Sequence, residues 1–166
     1  ALLNDCKYGY DVKGDVLRLS LLRATTMPDP VADRGEHRFR YALLPHGGSF
    51  QEAGVVQRAA ELGIAPEARP AVPGVRPSES SLVTSTSPGA VVSAVKRADE
   101  GDGLVVRLYE AWGGRRRTQL QLARPVSRVQ RADLLEQAQS DVELADPTTV
   151  DLELRPFEIV TLLLTP

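Results

Sequence analysis

In 166 residues there is one cysteine, one methionine, one tryptophan and two histidines, and aromatic residues make up only 5% of the chain. A lone Cys6 can close no internal disulfide and argues for a reducing compartment, with the cytoplasm as the default. His37, His46 and Cys6 do not supply the three or four closely spaced ligands of a zinc site, so no metal centre is expected within this chain. There is no run of about 18 apolar residues that could span a membrane, and the start Ala1-Leu2-Leu3-Asn4-Asp5 has neither the basic nor the long apolar part of a signal peptide. Charge of one sign is also missing. Twenty basic residues against 22 acidic ones leave a net charge of -2, which excludes broad attraction to phosphate backbones or anionic membranes. Neither nucleic acid nor membrane is an expected partner. An initiator methionine is absent and the first residues are apolar and strand-like, as in a piece of a longer polypeptide.

What is present is alternation. Leu17, Leu19 and Leu21 alternate with Arg18, Ser20 and Leu22 over 16–23, and Phe39, Tyr41 and Leu43 alternate with Arg38, Arg40 and Ala42 over 38–44. A period of two marks half-buried strands. Residues 1–4 read as a further strand, 5–9 as a turn, and 10–12 as a strand returning through Lys13-Gly14-Asp15. Ser49 followed by Glu52 forms a capping-box signature ahead of Val55, Val56, Ala59 and Ala60, which predicts one short helix over 50–62. Four prolines within 65–77 and a serine- and threonine-rich run over 78–87 predict a linker. Beyond it, alternating runs at 91–96, 104–109, 119–122 and 150–155 and a nearly continuous apolar run at 159–164 predict short strands, while 126–135 is mixed and 133–136 fits either a strand or a helical turn. The expected fold class is therefore mainly β: an antiparallel β-sandwich with one short helix, followed by a smaller β-sandwich.

The two early strands flank fourteen residues, 24–37, with no apolar period, both charge signs, and Pro28 and Pro30 to stiffen them. A loop of that length in a compact domain is functional or disordered, and the prolines and charges favour a structured, functional one. Asp29 and Asp33 could in principle be the two acids of a glycosidase, which flank the scissile bond roughly 5 to 10 Å apart. Loop aspartates before proline or glycine more often cap turns through their own backbone, and that reading is preferred. Arg23 faces this loop and is expected to pair with Asp29 or Asp33. His37 and His46 are read as histidines satisfied by backbone or carboxylate partners. Asn4, Asp5, Lys7 and Tyr8 mix donors, acceptors and an aromatic beside a tight turn; such a set suits a sugar's hydroxyls and CH face, or equally an ordinary polar hairpin turn. Gly113-Gly114 before Arg115, Arg116 and Arg117 reads as a glycine turn with a solvated basic edge, and Trp112 as a side chain packed partly into the core.

The series Asn4-Asp5-Cys6-Lys7-Tyr8-Gly9-Tyr10-Asp11, Leu19-Ser20-Leu21-Leu22-Arg23-Ala24, Pro28-Asp29-Pro30, Ala32-Asp33, Gly35-Glu36-His37, Tyr41-Ala42-Leu43 and Pro45-His46 resembles the C-terminal region of glycoside hydrolase family 38, the α-mannosidases, of the bacterial and cytosolic or vacuolar type. Arg107-Leu108-Tyr109-Glu110-Ala111 and Leu154-Arg155-Pro156-Phe157-Glu158-Ile159 carry a weaker likeness. Thr25, where the family usually has proline, and Met27, where an aromatic is commoner, depart from it. The resemblance implies that residues 1–72 are the C-terminal part of the large mannosidase β-sandwich domain and 73–166 a small C-terminal β-sandwich domain. It implies a parent enzyme, a zinc-dependent retaining glycosidase acting on α-mannosides, whose zinc ligands and nucleophilic aspartate lie in an N-terminal catalytic domain of the same polypeptide. This chain alone would then be inactive. Its part would be to brace that domain and to lend Asn4, Asp5, Lys7, Tyr8, Asp33, Arg34 and Gly35 to the rim of the substrate site, with Arg23, Asp29 and His37 fixing the loop. A free-standing carbohydrate-binding or structural β-sandwich is the alternative, and assembly into a homo-oligomer is a further one.

Overall fold

A computed structural model describes residues 1–68, 70 and 79–166. Of the predicted linker, residue 69 and residues 71–78 lie outside the described residues. The chain divides into two compact units, Ala1–Arg69 and Pro70–Pro166. It is mainly β, every strand pairing is antiparallel, and one helix is present among the described residues, as the sequence predicts.

The first unit contains two separate two-stranded ribbons. β1 (Leu2–Asn4) pairs with β4 (Tyr41–Leu43), and β2 (Tyr10–Lys13) pairs with β3 (Val16–Leu19). The β2–β3 turn is as tight as its glycine predicts, with Gly14 at φ 61, where a side chain would be strained. The ladder extends one step through Ser20 N–H to Gly9 O at 2.8 Å, and a Cβ on Gly9 would meet Ser20 Cβ at 2.9 Å. Both flanking strands of the long loop are shorter than expected. β3 ends at Leu19, and β4 begins only at Tyr41, because β1 offers three residues to pair with.

The helix α1 (Val55–Gly63) starts later than the capping box predicts. The box itself forms: Glu52 N–H donates to Ser49 Oγ at 3.2 Å, and Glu52 Oε2 accepts from Ser49 N–H at 2.7 Å. Those bonds hold the Glu52 carboxyl below its usual range, the Ser49 backbone N–H first and its hydroxyl second. They close a turn, however, and Gly54, left-handed at φ 61, separates that turn from the helix. Val55, Val56, Ala59 and Leu62 are half-buried, whereas Ala60, expected on that face, is exposed.

The second unit is a two-layer sandwich. Its strands are β5 (Val83–Ser85), β6 (Ala90–Arg97), β7 (Leu104–Glu110), β8 (Arg116–Leu122), β9 (Arg128–Ala132), β10 (Ala138–Val142), β11 (Leu144–Asp146), β12 (Thr149–Leu154) and β13 (Ile159–Thr165). One sheet runs β10-β9-β13-β7-β6 and the other β11-β12-β8-β5, so the chain passes back and forth between layers. Alternate positions fill the space between them. Val106 and Leu108 of β7, Leu120 and Leu122 of β8, Val150, Leu152 and Leu154 of β12, and Val160, Leu162 and Leu164 of β13 form one cluster. Each fully buried leucine or valine contributes about 1.5–3 kcal/mol of burial free energy. Residues 133–136 form a turn rather than a strand, closed by Glu136 N–H to Asp133 O at 3.1 Å.

One core-facing position is charged. Glu110 ends β7 in register with Val106 and Leu108, and it is 1% exposed. Its carboxylate accepts from the N–H groups of Trp112 (3.0 Å), Gly113 (2.7 Å), Gly114 (3.3 Å) and Phe157 (3.2 Å), and from Arg116 Nε (3.3 Å). Burial pushes its pKa up, but the donors outweigh this and hold the group below the usual carboxylate range. This knot corrects the expectation of a solvated basic edge for Arg116 only; Arg115 and Arg117 are exposed, as the sequence predicts. Arg116 lies on β8 between β12 and β5, its guanidinium packs 4.4 Å from the Trp112 ring, and its Nη1 donates to Ser87 Oγ.

Candidate functional site

The polar cluster after β1 is built by side chains bonding to local backbone. Asn4 Oδ1 accepts from the N–H groups of Cys6 and Lys7, which bends the chain out of the strand, while Asn4 Nδ2 donates to the Tyr10 hydroxyl. Asp5 reaches across to the strand leading into β4. Its Oδ1 accepts from Arg40 N–H at 3.0 Å and its Oδ2 from Arg40 Nε at 3.3 Å, and its own N–H donates to Arg40 O. The Arg40 N–H, followed by the Cys6 thiol, holds the Asp5 carboxyl below its usual range. The same contact raises the pKa of the exposed Cys6 thiol. The Lys7 ammonium sits 4.9 Å from the centre of the Phe39 ring. Tyr8 is left 95% exposed.

Lys7 and Tyr8, with Cys6 and Gly9, form one wall of a shallow hollow whose other wall is Ser20, Leu21, Leu22 and Arg23. The long loop starts at its rim. Ala24 takes a left-handed φ of 51, and its N–H donates to Asp33 Oδ2 at 2.6 Å. Asp29 Oδ1 accepts from Val31 N–H at 2.9 Å, and Arg34 N–H donates to Val31 O at 3.0 Å. The His37 ring meets Asp33 O through Nε2 at 3.0 Å. Asp29 and Asp33 therefore both hold backbone.

The expected pairing of Arg23 with Asp29 or Asp33 is not made. Asp33 holds the N–H of the next residue, Asp29 closes its own turn, and Arg23 lines the hollow. The structure thus joins Arg23 to Lys7 and Tyr8, and joins the base of the loop to Asp33. Arg34 and Gly35 stand exposed at the loop's far side and do not line the hollow. Gly35 has φ 135, with nothing within 4 Å of where a Cβ would sit. Among the described residues, no ion pair engages Arg34.

Sequence reasoning missed Arg40, which fixes Asp5 from 35 residues away, and Phe39, which carries Lys7. No local signal points to either, because the contact exists only once β1 and β4 pair. Among the described residues, no group of three or more His, Cys, Asp or Glu side chains is placed to hold a metal ion. No helix among them is long and apolar enough to cross a membrane. Trp112 offers no free stacking face where Arg116 covers it.

Comparison with known proteins identifies the family. Residues 89–162 match the family described as Glycosyl hydrolases family 38 C-terminal beta sandwich domain, and residues 1–31 match Glycosyl hydrolases family 38 C-terminal domain. Alpha-mannosidase 2C1 of Homo sapiens is 45% identical over 170 residues, covering 99% of this chain and 16% of its own length. The Mus musculus protein of the same name is 44% identical, with the same coverage. The Saccharomyces cerevisiae alpha-mannosidase is 30% identical over 182 residues, 97% of this chain and 17% of its own. The chain thus spans about a sixth of the length of the curated relatives it matches. Two descriptions of one family cover the first strands and the sandwich, and relatives of that family align across nearly the whole chain: it belongs to glycoside hydrolase family 38, as a C-terminal region of the α-mannosidases.

Proposed function

We propose that this chain is the C-terminal part of a zinc-dependent, retaining α-mannosidase, in which it braces the catalytic domain and lends loop residues to the rim of the sugar site. In a retaining reaction one carboxylate attacks the anomeric carbon and a second acts first as acid and then as base. Asp29 and Asp33 are engaged by backbone N–H groups, so both catalytic carboxylates would come from the N-terminal catalytic domain of the same polypeptide. Zinc finds no fitting donor set among the described residues and would be held by that same domain. Residues 1–72 would complete the large β-sandwich domain, and 73–166 would form the small one. A cytoplasmic setting fits a protein whose Cys6 is a free thiol.

The observation that carries the rim role is the contrast within one loop. Its base is pinned by Asp33 on Ala24, while Arg34, next to a glycine in an open backbone conformation, keeps a guanidinium free for hydroxyl oxygens. Lys7 and Tyr8 offer a second donor and an aromatic face. In the parent enzyme, Arg34→Ala should lower kcat/KM about tenfold, the loss of about one charge-assisted hydrogen bond, with Tm unchanged. Wild-type kinetics in Arg34→Ala and Tyr8→Ala together would remove the rim role.

A further inference from the structure

On the four-stranded sheet, the alternation that sends Leu120, Leu152 and Leu154 inward turns Arg117 and Gln119 of β8 and Asp151 and Glu153 of β12 outward. Register sets Arg117 opposite Glu153 and Gln119 opposite Asp151, so the four side chains stand at the corners of a rectangle of about 5 by 7 Å. β5 ends at Ser85 and pairs with 120–122 alone, whereas β8 begins at Arg116, so the outer surface steps down beside Arg117. With Thr86 and the buried Thr118 and Leu152, the four line a hollow of about 550 Å³, a size within the usual range of small-ligand sites. Its polar groups are only half used. Gln119 Nε2 donates to Asp151 Oδ1 at 2.9 Å, which fixes both side chains. Thr86 Oγ1 accepts from Gln119 N–H at 3.0 Å and keeps its own hydroxyl proton to donate. Arg117 and Glu153 face each other across the ladder, where opposite charges ordinarily pair. Among the described residues, neither side chain enters an ion pair. An open guanidinium and an open carboxylate thus form one short side of the rectangle, and the fixed Gln119–Asp151 pair forms the other.

We propose that this hollow on β8 and β12 binds an uncharged saccharide; that the saccharide is an α-mannoside rests on the α-mannosidase reading above. Two carboxylates against one guanidinium disfavour phosphate or sulfate. Among the described residues, no group of three acidic, His or Cys side chains could hold a metal ion. No exposed aromatic or aliphatic side chain lines the hollow, so it lacks the apolar centre on which a protein partner would anchor. A pyranose supplies what the open groups need. One sugar hydroxyl can accept from Arg117 and donate to Glu153 at once, closing the gap those two leave, and a neighbouring hydroxyl can accept from the Thr86 hydroxyl and donate to the second oxygen of Asp151.

The test is titration of an α-linked mannobiose into the nitrogen-15-labelled 166-residue chain, followed in N–H correlation spectra. Shifts should centre on the backbone and side-chain N–H groups of Thr86, Arg117, Gln119, Asp151 and Glu153. Arg117→Ala and Asp151→Ala, both at exposed positions where substitution leaves the fold intact, should each weaken the binding about tenfold. Absence of shifts, shifts centred elsewhere in the chain, or an unchanged response in both variants overturns the proposal. A response of these residues to inorganic phosphate in place of mannobiose overturns it as well. Should the chain give no resolved spectrum, the full-length parent carrying both substitutions is run over immobilised mannan: elution ahead of wild type upholds the site, and coelution overturns it. Turnover of an aryl α-mannoside by the wild-type parent keeps the two readings apart: shifts without turnover refute the enzyme and uphold the saccharide site, and turnover without shifts refutes the site alone.

Discussion

Replacing Glu110 with alanine should destabilise the sandwich more than any surface substitution. The carboxylate is 1% exposed and satisfies four backbone N–H groups and Arg116 Nε, which between them close the Trp112–Gly114 turn and dock the 155–158 turn. Removing one partner of a buried, hydrogen-bonded charge pair costs about 3–5 kcal/mol, because the other charge and its donors are left without acceptors. For a domain of this size, each kcal/mol moves Tm by about 4–8 °C, so the drop should be at least about 12 °C. Trp112 belongs to the knot and packs on Arg116, so its fluorescence reports the transition directly. The native pKa of Glu110 is depressed, so its contribution is complete above the ordinary glutamate range and fades as the pH falls through the lower native value. The gap in Tm between wild type and Glu110→Ala should accordingly be wide at pH 7 and narrow towards pH 3. A drop below about 4 °C at pH 7 corresponds to less than about 1 kcal/mol and would refute the reasoning that this carboxylate ties the two turns together.

Other expectations follow from the same structure. Leu162→Ala opens a cavity at a side chain with 0% exposure and should cost about 2–5 kcal/mol in denaturant titration, with an unchanged slope. Gly113→Val places a branched side chain at φ 76, with its Cβ 2.7 Å from the Phe157 ring, and should lose about 1–3 kcal/mol, read as a fall in Tm. The purified 166-residue chain should show no turnover of an aryl α-mannoside, and measurable hydrolysis by it would place catalytic groups here after all. The Arg34→Ala kinetics of the parent complete the set.

The sandwich was legible wherever burial imposed alternation. β7, β8 and β12 each send every second residue into the core, and their runs announce themselves; β13 shows instead as a nearly continuous apolar run. β5 and β10 were not legible, because they are edge strands: β5 has only three residues, with Val83 packed against the core, and β10 meets water along nearly all its length. Val83–Ser85 hides in a serine- and threonine-rich run, and Ala138–Val142 has four exposed residues of five. Glu110 left a trace in the sequence: it continues the inward positions Leu104, Val106 and Leu108 and precedes Trp112-Gly113-Gly114, so a carboxylate falls where a leucine is due. In the first unit, Asn4 and Asp5 could be singled out by type, but the partner of Asp5 could not, since Arg40 comes near only through the pairing of β1 with β4. The Arg23 pairing went astray because a carboxylate beside a strained Ala24 N–H is satisfied locally before a long, solvated guanidinium competes.

The position of β13 also sets a timetable for synthesis. It inserts between β7 and β9: residues 159–164 pair with β7 and residues 161–165 with β9. While the ribosome is still making this strand, the emerging chain holds the two flanking strands with no middle, each with an open row of N–H and C=O groups and one half of an apolar layer. The second unit therefore has no stable half-made form: chaperone binding should persist on the nascent chain until residue 165 clears the exit tunnel, and a stop codon placed before Ile159 should yield aggregate rather than a smaller domain.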